Sequence, residues 1–237
     1  VVNGTADIGM MADYAAVNRL GNTLDATNLQ IFSQISGGQS ALSGGLYVDP
    51  KYADDPKSLD GSAGFMYQEG TVTYYYASKC IEYLGLDESK QNLINTDSSQ
   101  TRLALIQKGG ASAVYANGSE AKYIEEAGWV QVATSQEIGI QTGSYFLSTD
   151  KYISENTDTL AKFLQAVDES TQYINDHLDE SAEYLADKLG LKAEDFKENW
   201  KNYSFEPGFS EEATTHLEDI EKWGFEHGSF PKDYNIR

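Results

Sequence analysis

With 237 residues, 40% of them apolar and 16 of them tyrosine, the chain has length for one large domain or two lobes and material for a buried core, which excludes a disordered polymer. Its 17 basic and 37 acidic residues leave a net charge of −20. Nucleic acids and anionic membrane surfaces require basic clusters, so neither is expected as a partner.

In chain order, a turn at Gly4 leads into a short strand at 6–9. A loop through Met10, Met11 and Ala12 then enters a helix at 14–20 that Asp13 is placed to cap. Residues 29–35 are β-branched and aromatic enough for a strand. Ser36-Gly37-Gly38-Gln39 reads as a turn, and 40–48 as a further strand broken by Gly44-Gly45. Pro50, Pro56 and Asp60-Gly61 make 49–61 a loop, the expected crossing between lobes. Strand and helix then alternate: strand 63–67, helix 71–84 ending at Gly85, strand 92–95, helix 99–108 ending at Gly109-Gly110, strand 113–115, helix 119–127 ending at Gly128, strand 129–134. Such alternation predicts βαβ units on a parallel sheet.

A strand at 141–148 carries the chain back to the first lobe. Beyond it the pattern is helical, with stripes through Leu160, Phe163, Leu164, Val167 and Ile174, through Leu178, Leu185 and Leu189, and through Leu217, Ile220 and Trp223. Ser154 and Ser210 are expected caps. The 9 basic and 20 acidic residues of 151–237 are spread over solvated helix faces. The single cysteine, Cys80, has no disulfide or CxxC partner and reads as a buried helix residue. No run is long enough to span a membrane. No leader segment is read, and the opening Val1-Val2-Asn3-Gly4 looks like the inside of a domain.

The strand–turn–helix around Gly70-Thr71 is the expected organising site. In open α/β sheets ligands sit beyond the carboxyl ends of strands, and the free N–H groups of a first helical turn attract acceptors. Any βα turn has this form, so the turn alone does not assign a function. An internal echo adds to it. Gly4-Thr5-Ala6-Asp7-Ile8 and Gly109-Gly110-Ala111-Ser112-Ala113 each close a helix and open a strand that runs into a polar loop. Two similar α/β lobes facing a cleft would produce that echo.

Several motifs then line up in order: the G-x-x-D of Gly4 and Asp7, Leu59-Asp60-Gly61 before a strand ending in Gly70-Thr71, Glu82-Tyr83-Leu84-Gly85-Leu86, the run LALIQKG at 103–109 before Ala113-Val114, FLSTDKYI at 146–153 and LAKFLQAV at 160–167. In that order they resemble the substrate-binding proteins of ABC importers, in the branch that handles nitrate, sulfonates, taurine and thiamine-precursor pyrimidines. The resemblance covers nearly the whole chain. It implies an α/β, two-lobed periplasmic-binding-protein-like fold of type II with a helical C-terminal part. The first lobe would be 1–60 with 143–237 and the second 61–142. Two departures are visible: the about two βα units that the resemblance leads one to expect before the G-x-x-D element do not stand before it here, so the expectation is either a fragment or an incomplete first lobe completed by another segment, and Ser112 stands where a second, structural Asp is expected.

The resemblance further implies an extracytoplasmic protein, periplasmic or a surface lipoprotein, whose lobes close over a solute and dock on a membrane permease. No cofactor, metal or catalytic group is implied. By matching loop positions, ligand-binding candidates in the first lobe are Met11, Asp13 and Tyr14, then Ser36, Gly37, Gly38 and Gln39. In the second they are Gln68, Glu69, Gly70, Thr71 and Thr73, then Asp97 and Ser98, then Tyr115 and Asn117; Gln141 and Thr142 stand at the return crossing. Asp13, Thr71, Asp97 and Ser98 equally suit plain helix capping, and Met11 suits a core. The set holds carboxylates, amides, hydroxyls and aromatic faces but no Lys or Arg. An amine-bearing or heteroaromatic solute, for example a thiamine-precursor-like aminopyrimidine, therefore fits better than an anion, although a sulfonate could bind through helix-start amides.

Two other readings compete. A pyrimidine-synthase-like enzyme of thiamine formation would carry a cysteine-rich motif and a reactive histidine. Here there is one cysteine, and His177, His216 and His227 lie in the acidic helical tail without zinc spacing. An effector-binding domain of a transcription regulator would follow a helix-turn-helix segment. No G-x-S-x-G, phosphate-binding loop or dinucleotide fingerprint appears.

Overall fold

A computed structural model describes residues 1–23, 28–38, 44–59, 64–190, 192–201, 204–205 and 207–236. In chain order the elements are β1 (Gly9–Ala12), α1 (Asp13–Thr23), β2 (Leu29–Gly38), β3 (Gly44–Val48), β4 (Gly64–Tyr67), α2 (Val72–Tyr83), β5 (Asn92–Asn95), α3 (Ser99–Gln107), β6 (Ala113–Asn117), α4 (Gly118–Glu126), β7 (Val130–Thr134), α5 (Ser135–Ile138), β8 (Thr142–Thr149), α6 (Asp150–Glu155), α7 (Thr157–Asp176), α8 (Leu178–Leu189), α9 (Ala193–Lys201) and α10 (Glu211–Glu226). They form two compact units, Val1–Ala41 with Thr142–Arg237, and Leu42–Gln141. Among the described residues no helix is long and apolar enough to cross a membrane.

The first unit is built on an antiparallel sheet in the order β1-β8-β2. The strand expected at 6–9 lies three residues later, because its ladder to β8 runs from Gly9↔Leu147 to Ala12↔Ser144. That register turns Met11 toward Ala16, Leu20 and Leu147 in the core. The turn expected at Ser36-Gly37-Gly38 is instead the end of β2, paired as Ser36↔Ser144, Gly37↔Gly143 and Gly38↔Thr142. Two register shifts in β2 absorb the extra residues, as bulges do. Gly37 serves close approach rather than turning, since a Cβ there would stand 2.6 Å from the Thr142 carbonyl oxygen. Gln39 lies outside the described residues.

On one face of this sheet α1 packs with α10, Tyr14 meeting Trp223 at 6.0 Å between ring centres. On the other, Phe146 stacks on Phe32 and takes the ring of Phe163 from α7 edge-on. Ser210 caps α10 as expected, accepting the Ala213 N–H at 3.0 Å. Ser154 does not cap. It lies inside α6, its hydroxyl bonded to the Lys151 carbonyl, because Thr149 already starts that helix by accepting the Tyr152 N–H. The polar helix α9, for which no stripe was expected, packs Phe196 and Trp200 against Ala182 and Ala186 of α8.

The second unit carries a five-stranded sheet in the order β5-β4-β6-β3-β7. The expected parallel βαβ pattern holds for β5, β4 and β6. The sheet as a whole is mixed, because β3 runs antiparallel to both β6 and β7 and separates them. This pairing places β3 in the second unit, ahead of the 49–61 loop where the crossing was expected. Gly44-Gly45 does not break β3, and no side chain fits there: a Cβ at Gly45 would collide with the Ala133 carbonyl oxygen. Tyr47, Met66, Val114, Ile124 and Trp129 form the core of this unit. The Tyr74-Tyr75-Tyr76 run divides as helical geometry demands, with Tyr75 and Tyr76 buried and Tyr74 less so. Cys80 is fully buried, and burial raises its thiol pKa.

Candidate functional site

In the second unit the carboxyl ends of β4 and β5 open into a cavity of about 620 Å³ lined by Gln68, Glu69, Gly70, Asn95, Thr96, Asp97 and Thr101. Gly70 turns the chain there at φ +74°, a left-handed conformation that disfavours any side chain. Thr71 follows as the cap of α2, its hydroxyl accepting the Thr73 N–H at 3.3 Å and donating to the Gln68 carbonyl at 2.8 Å. The Thr73 hydroxyl accepts the Gln68 N–H at 2.7 Å. Across the cavity Asn95 locks the turn: its side-chain oxygen accepts the Glu69 N–H at 3.0 Å and its amide donates to the Glu69 carboxylate at 3.2 Å.

Ser98 caps α3 through the Thr101 N–H at 3.2 Å. Asp97 accepts from the hydroxyls of Thr101 and Ser98, and these bonds, Thr101 first, hold its carboxyl below the usual aspartate range. Behind the rim, Arg102 is 5% exposed. It grips Glu120 with two bonds of 2.6 and 3.1 Å and reaches the Thr96 hydroxyl at 3.2 Å. Two acids therefore face an open polar cavity with no lysine or arginine among the described residues that line it.

Tyr115 and Asn117 lie on β6, the strand beside β4, and do not line this cavity. Tyr115 is a core residue, its hydroxyl 2.9 Å from Ser135 and its ring 4.5 Å from Tyr76, and burial pushes its pKa up to about 12. Asn117 starts α4 without a side-chain cap bond. Gln141, half-buried, directly precedes β8, and Thr142 begins that strand. The sequence reading missed Asn95, Thr96 and Thr101 as lining residues. The signal for Asn95 was its place at the end of a strand next to the central one.

In the first unit the equivalent strand ends meet around Asp13, which is 1% exposed. One carboxylate oxygen accepts the Tyr14 N–H at 2.7 Å; the other accepts the Gly143 N–H at 2.9 Å and stands 2.8 Å from His216 Nε2. His216 lies far from the βα turns in sequence, yet α10 brings it, 6% exposed, onto the start of α1. Tyr14 is itself buried, its hydroxyl 3.4 Å from that of Ser229. Tyr145 is 0% exposed, and among the described residues its hydroxyl has no hydrogen-bond partner. Burial first, then the Asp13 charge, raises the pKa of that phenol. Its ring packs onto Gly143, where a Cβ would come within 2.8 Å of the hydroxyl oxygen. Among the described residues no group of three or more His, Cys, Asp or Glu is placed to hold a metal ion.

A profile of the family described as NMT1/THI5 like matches residues 1–181. The periplasmic aliphatic sulphonate binding protein SsuA from Escherichia coli superposes with a TM-score of 0.78 at 17% identity, covering 99% of this chain and 79% of that one. The Candida albicans CA3427 gene product, which has the generic periplasmic binding protein structural fold, superposes at 0.61 with 18% identity, covering 99% and 82%. The desulfurization enzyme DSZB does so at 0.65 with 10% identity, covering 97% and 81%. No curated protein sequence matches. The fold is that of the periplasmic binding proteins.

Proposed function

The chain belongs to the NMT1/THI5-like family, and on that premise we propose that it is the solute-binding protein of an ABC importer. It works outside the cytoplasm, captures a small polar molecule with strand-end residues such as those of the second-unit cavity, and delivers it to a membrane permease. The observation that supports this reading best is the open cavity at the ends of β4 and β5, where Gln68, Glu69, Gly70 and Asp97 stand on a turn braced by Asn95 and the caps of α2 and α3. A braced rim whose carboxylates keep further acceptor capacity beyond their bonds to Asn95, Thr101 and Ser98 suits reversible capture of a polar solute. The two carboxylates favour a solute carrying amine or ring N–H donors, such as an aminopyrimidine.

A sulfonate is the second solute class. The E. coli protein of the same fold binds aliphatic sulphonates, and in the first unit Asp13 faces His216 rather than standing as a bare charge. A thermal-shift screen against aminopyrimidines, amines, alkanesulfonates, nitrate and amino acids decides between them. A true ligand at a hundredfold excess over its dissociation constant stabilises by about 2.7 kcal/mol, a shift of a few degrees. A folded chain that responds to nothing in the panel counts against the binding reading. Because the same fold also serves DSZB, the hit is then incubated with the protein and weighed by mass spectrometry. A binding protein returns its solute unchanged, and a converted product points to an enzyme.

A further inference from the structure

We infer that the groove between α7 and α8 is a further binding site, built for a small organic ammonium on an aryl or alkyl body. Every residue involved lies on these two helices of the first unit, so the inference does not depend on the solute-binding reading above. The chain repeats one pattern there: Glu-Ser-x-x-Tyr-Ile at 169–174 on α7 and Glu-Ser-x-x-Tyr-Leu at 180–185 on α8. In a helix the first, second, fifth and sixth positions of that pattern share one face. Those positions of both helices, together with Ala166, line a cavity of about 590 Å³. That is the size of a small-molecule site.

The repeated positions bring a consistent chemistry. Ile174 and Leu185 are half-buried and supply apolar walls. Tyr173 and Tyr184 are 51% and 65% exposed, so their rings have faces to offer. Tyr184 already seats a cation, the Lys188 Nζ standing 4.7 Å from its ring centre. Glu169 and Glu180 accept only from neutral donors, the Gln165 amide at 2.7 Å and the Tyr173 hydroxyl at 3.5 Å. Among the described residues neither carboxylate is in an ion pair, and no lysine, arginine or histidine lines the cavity. The two serines differ. Ser170 donates to the Ala166 carbonyl at 2.7 Å, whereas Ser181 is 6% exposed and its hydroxyl has no partner among the described residues. A buried hydroxyl left unpaired is costly, and an ammonium N–H would supply it. An ammonium is thus met by two carboxylates, tyrosine faces and a free hydroxyl, while its apolar body lies against Ile174 and Leu185. An anion would be repelled, and a neutral solute would leave both carboxylates unanswered.

The test titrates phenethylamine, and 2-phenylethanol as its uncharged counterpart, into the isotope-labelled full chain and follows backbone amide shifts. Fragments this small bind in the millimolar range. Phenethylamine should move the amides of 169–174 and 180–185 saturably, and 2-phenylethanol should bind there about fivefold more weakly. Glu180→Gln and Tyr184→Leu, both at exposed positions, should each weaken phenethylamine by about two- to fivefold, the range of an exposed cation–π or ion-pair contact. Glu126→Gln on α4 removes the same charge elsewhere and should change nothing. The two probes compared on the wild-type chain need no variant to fold. Shifts are read residue by residue, so capture of the amine in the β4–β5 cavity would show at 68–73 and bear only on the solute-binding reading. Absence of saturable shifts on α7 and α8, equal binding of the alcohol, or an equal loss in Glu126→Gln overturns the inference, leaving the groove a solvated gap between two helices.

Discussion

Each unit holds a buried pair of a basic and an acidic side chain, and the two pairs are made in different ways. In the second unit Arg102 and Glu120 are eighteen residues apart and join the neighbouring helices α3 and α4. In the first, Asp13 and His216 are 203 residues apart and join the first helix to the last. The side chains of Arg102 and Glu120 keep 7% and 20% exposure, whereas those of His216 and Asp13 keep 6% and 2%. The second unit thus builds its rim from local devices, with one partly hydrated pair behind them. The first unit depends on one long-range contact with almost no water to replace it.

That contrast predicts a graded series of effects. The largest should come from His216→Leu, which leaves the Asp13 carboxylate buried without its imidazole partner. It should cost about 3–5 kcal/mol in chemical denaturation, the usual result of removing one member of a buried pair. Arg102→Met should cost less, about 2–3 kcal/mol, because the exposed fifth of Glu120 can take up water once the guanidinium is gone. If the two variants lose equal stability, the distinction between a sealed and a partly wet pair does not hold.

The local devices should be alike in both units. Ser98→Ala and Ser210→Ala each remove a side-chain cap, and each should lower stability by about 1 kcal/mol. A several-fold difference between them would mean that capping, too, depends on which unit carries it. The smallest effect concerns acid. The carboxyl of Asp97 sits below its ordinary range because Thr101 and Ser98 donate to the ionised form. Its contribution to stability is therefore present above the unfolded aspartate pKa of about 3.9 and is lost as pH falls through the lower folded value. Asp97→Asn should flatten the acid side of the stability profile slightly, measured by thermal unfolding between neutral and strongly acidic pH, with little change near neutrality.

The same division between local and long-range interactions separates what could be read from the residues from what could not. The alternation from β4 to β7 was legible, and β5 falls at the expected positions. Strand propensity, serine and threonine caps, and glycines that stop helices act within a few residues of chain. The rim of the second-unit cavity is built from such devices, so Gln68, Glu69, Gly70 and Asp97 could be named in advance. Asn95 and Thr101 were missed because their role depends on which strand lies beside β4.

Tertiary structure decided the rest. Ser36, Gly37 and Gly38 carry every local sign of a turn, but pairing with β8 makes them strand, since ladder hydrogen bonds and a partner with no room for side chains outweigh weak local preference. β3 joins the second unit because β6 and β7 present their free edges to it, a choice no local pattern records. His216 looked like one more residue of an acidic helical tail. Only the packing of α10 on α1 turns it into the partner of Asp13, because a contact across 203 residues is set by how apolar faces stack. Residue type and spacing along the chain thus determined the elements and their caps. The tertiary fold decided which of the charges named in advance would be spent inside the protein and which would face an open cavity.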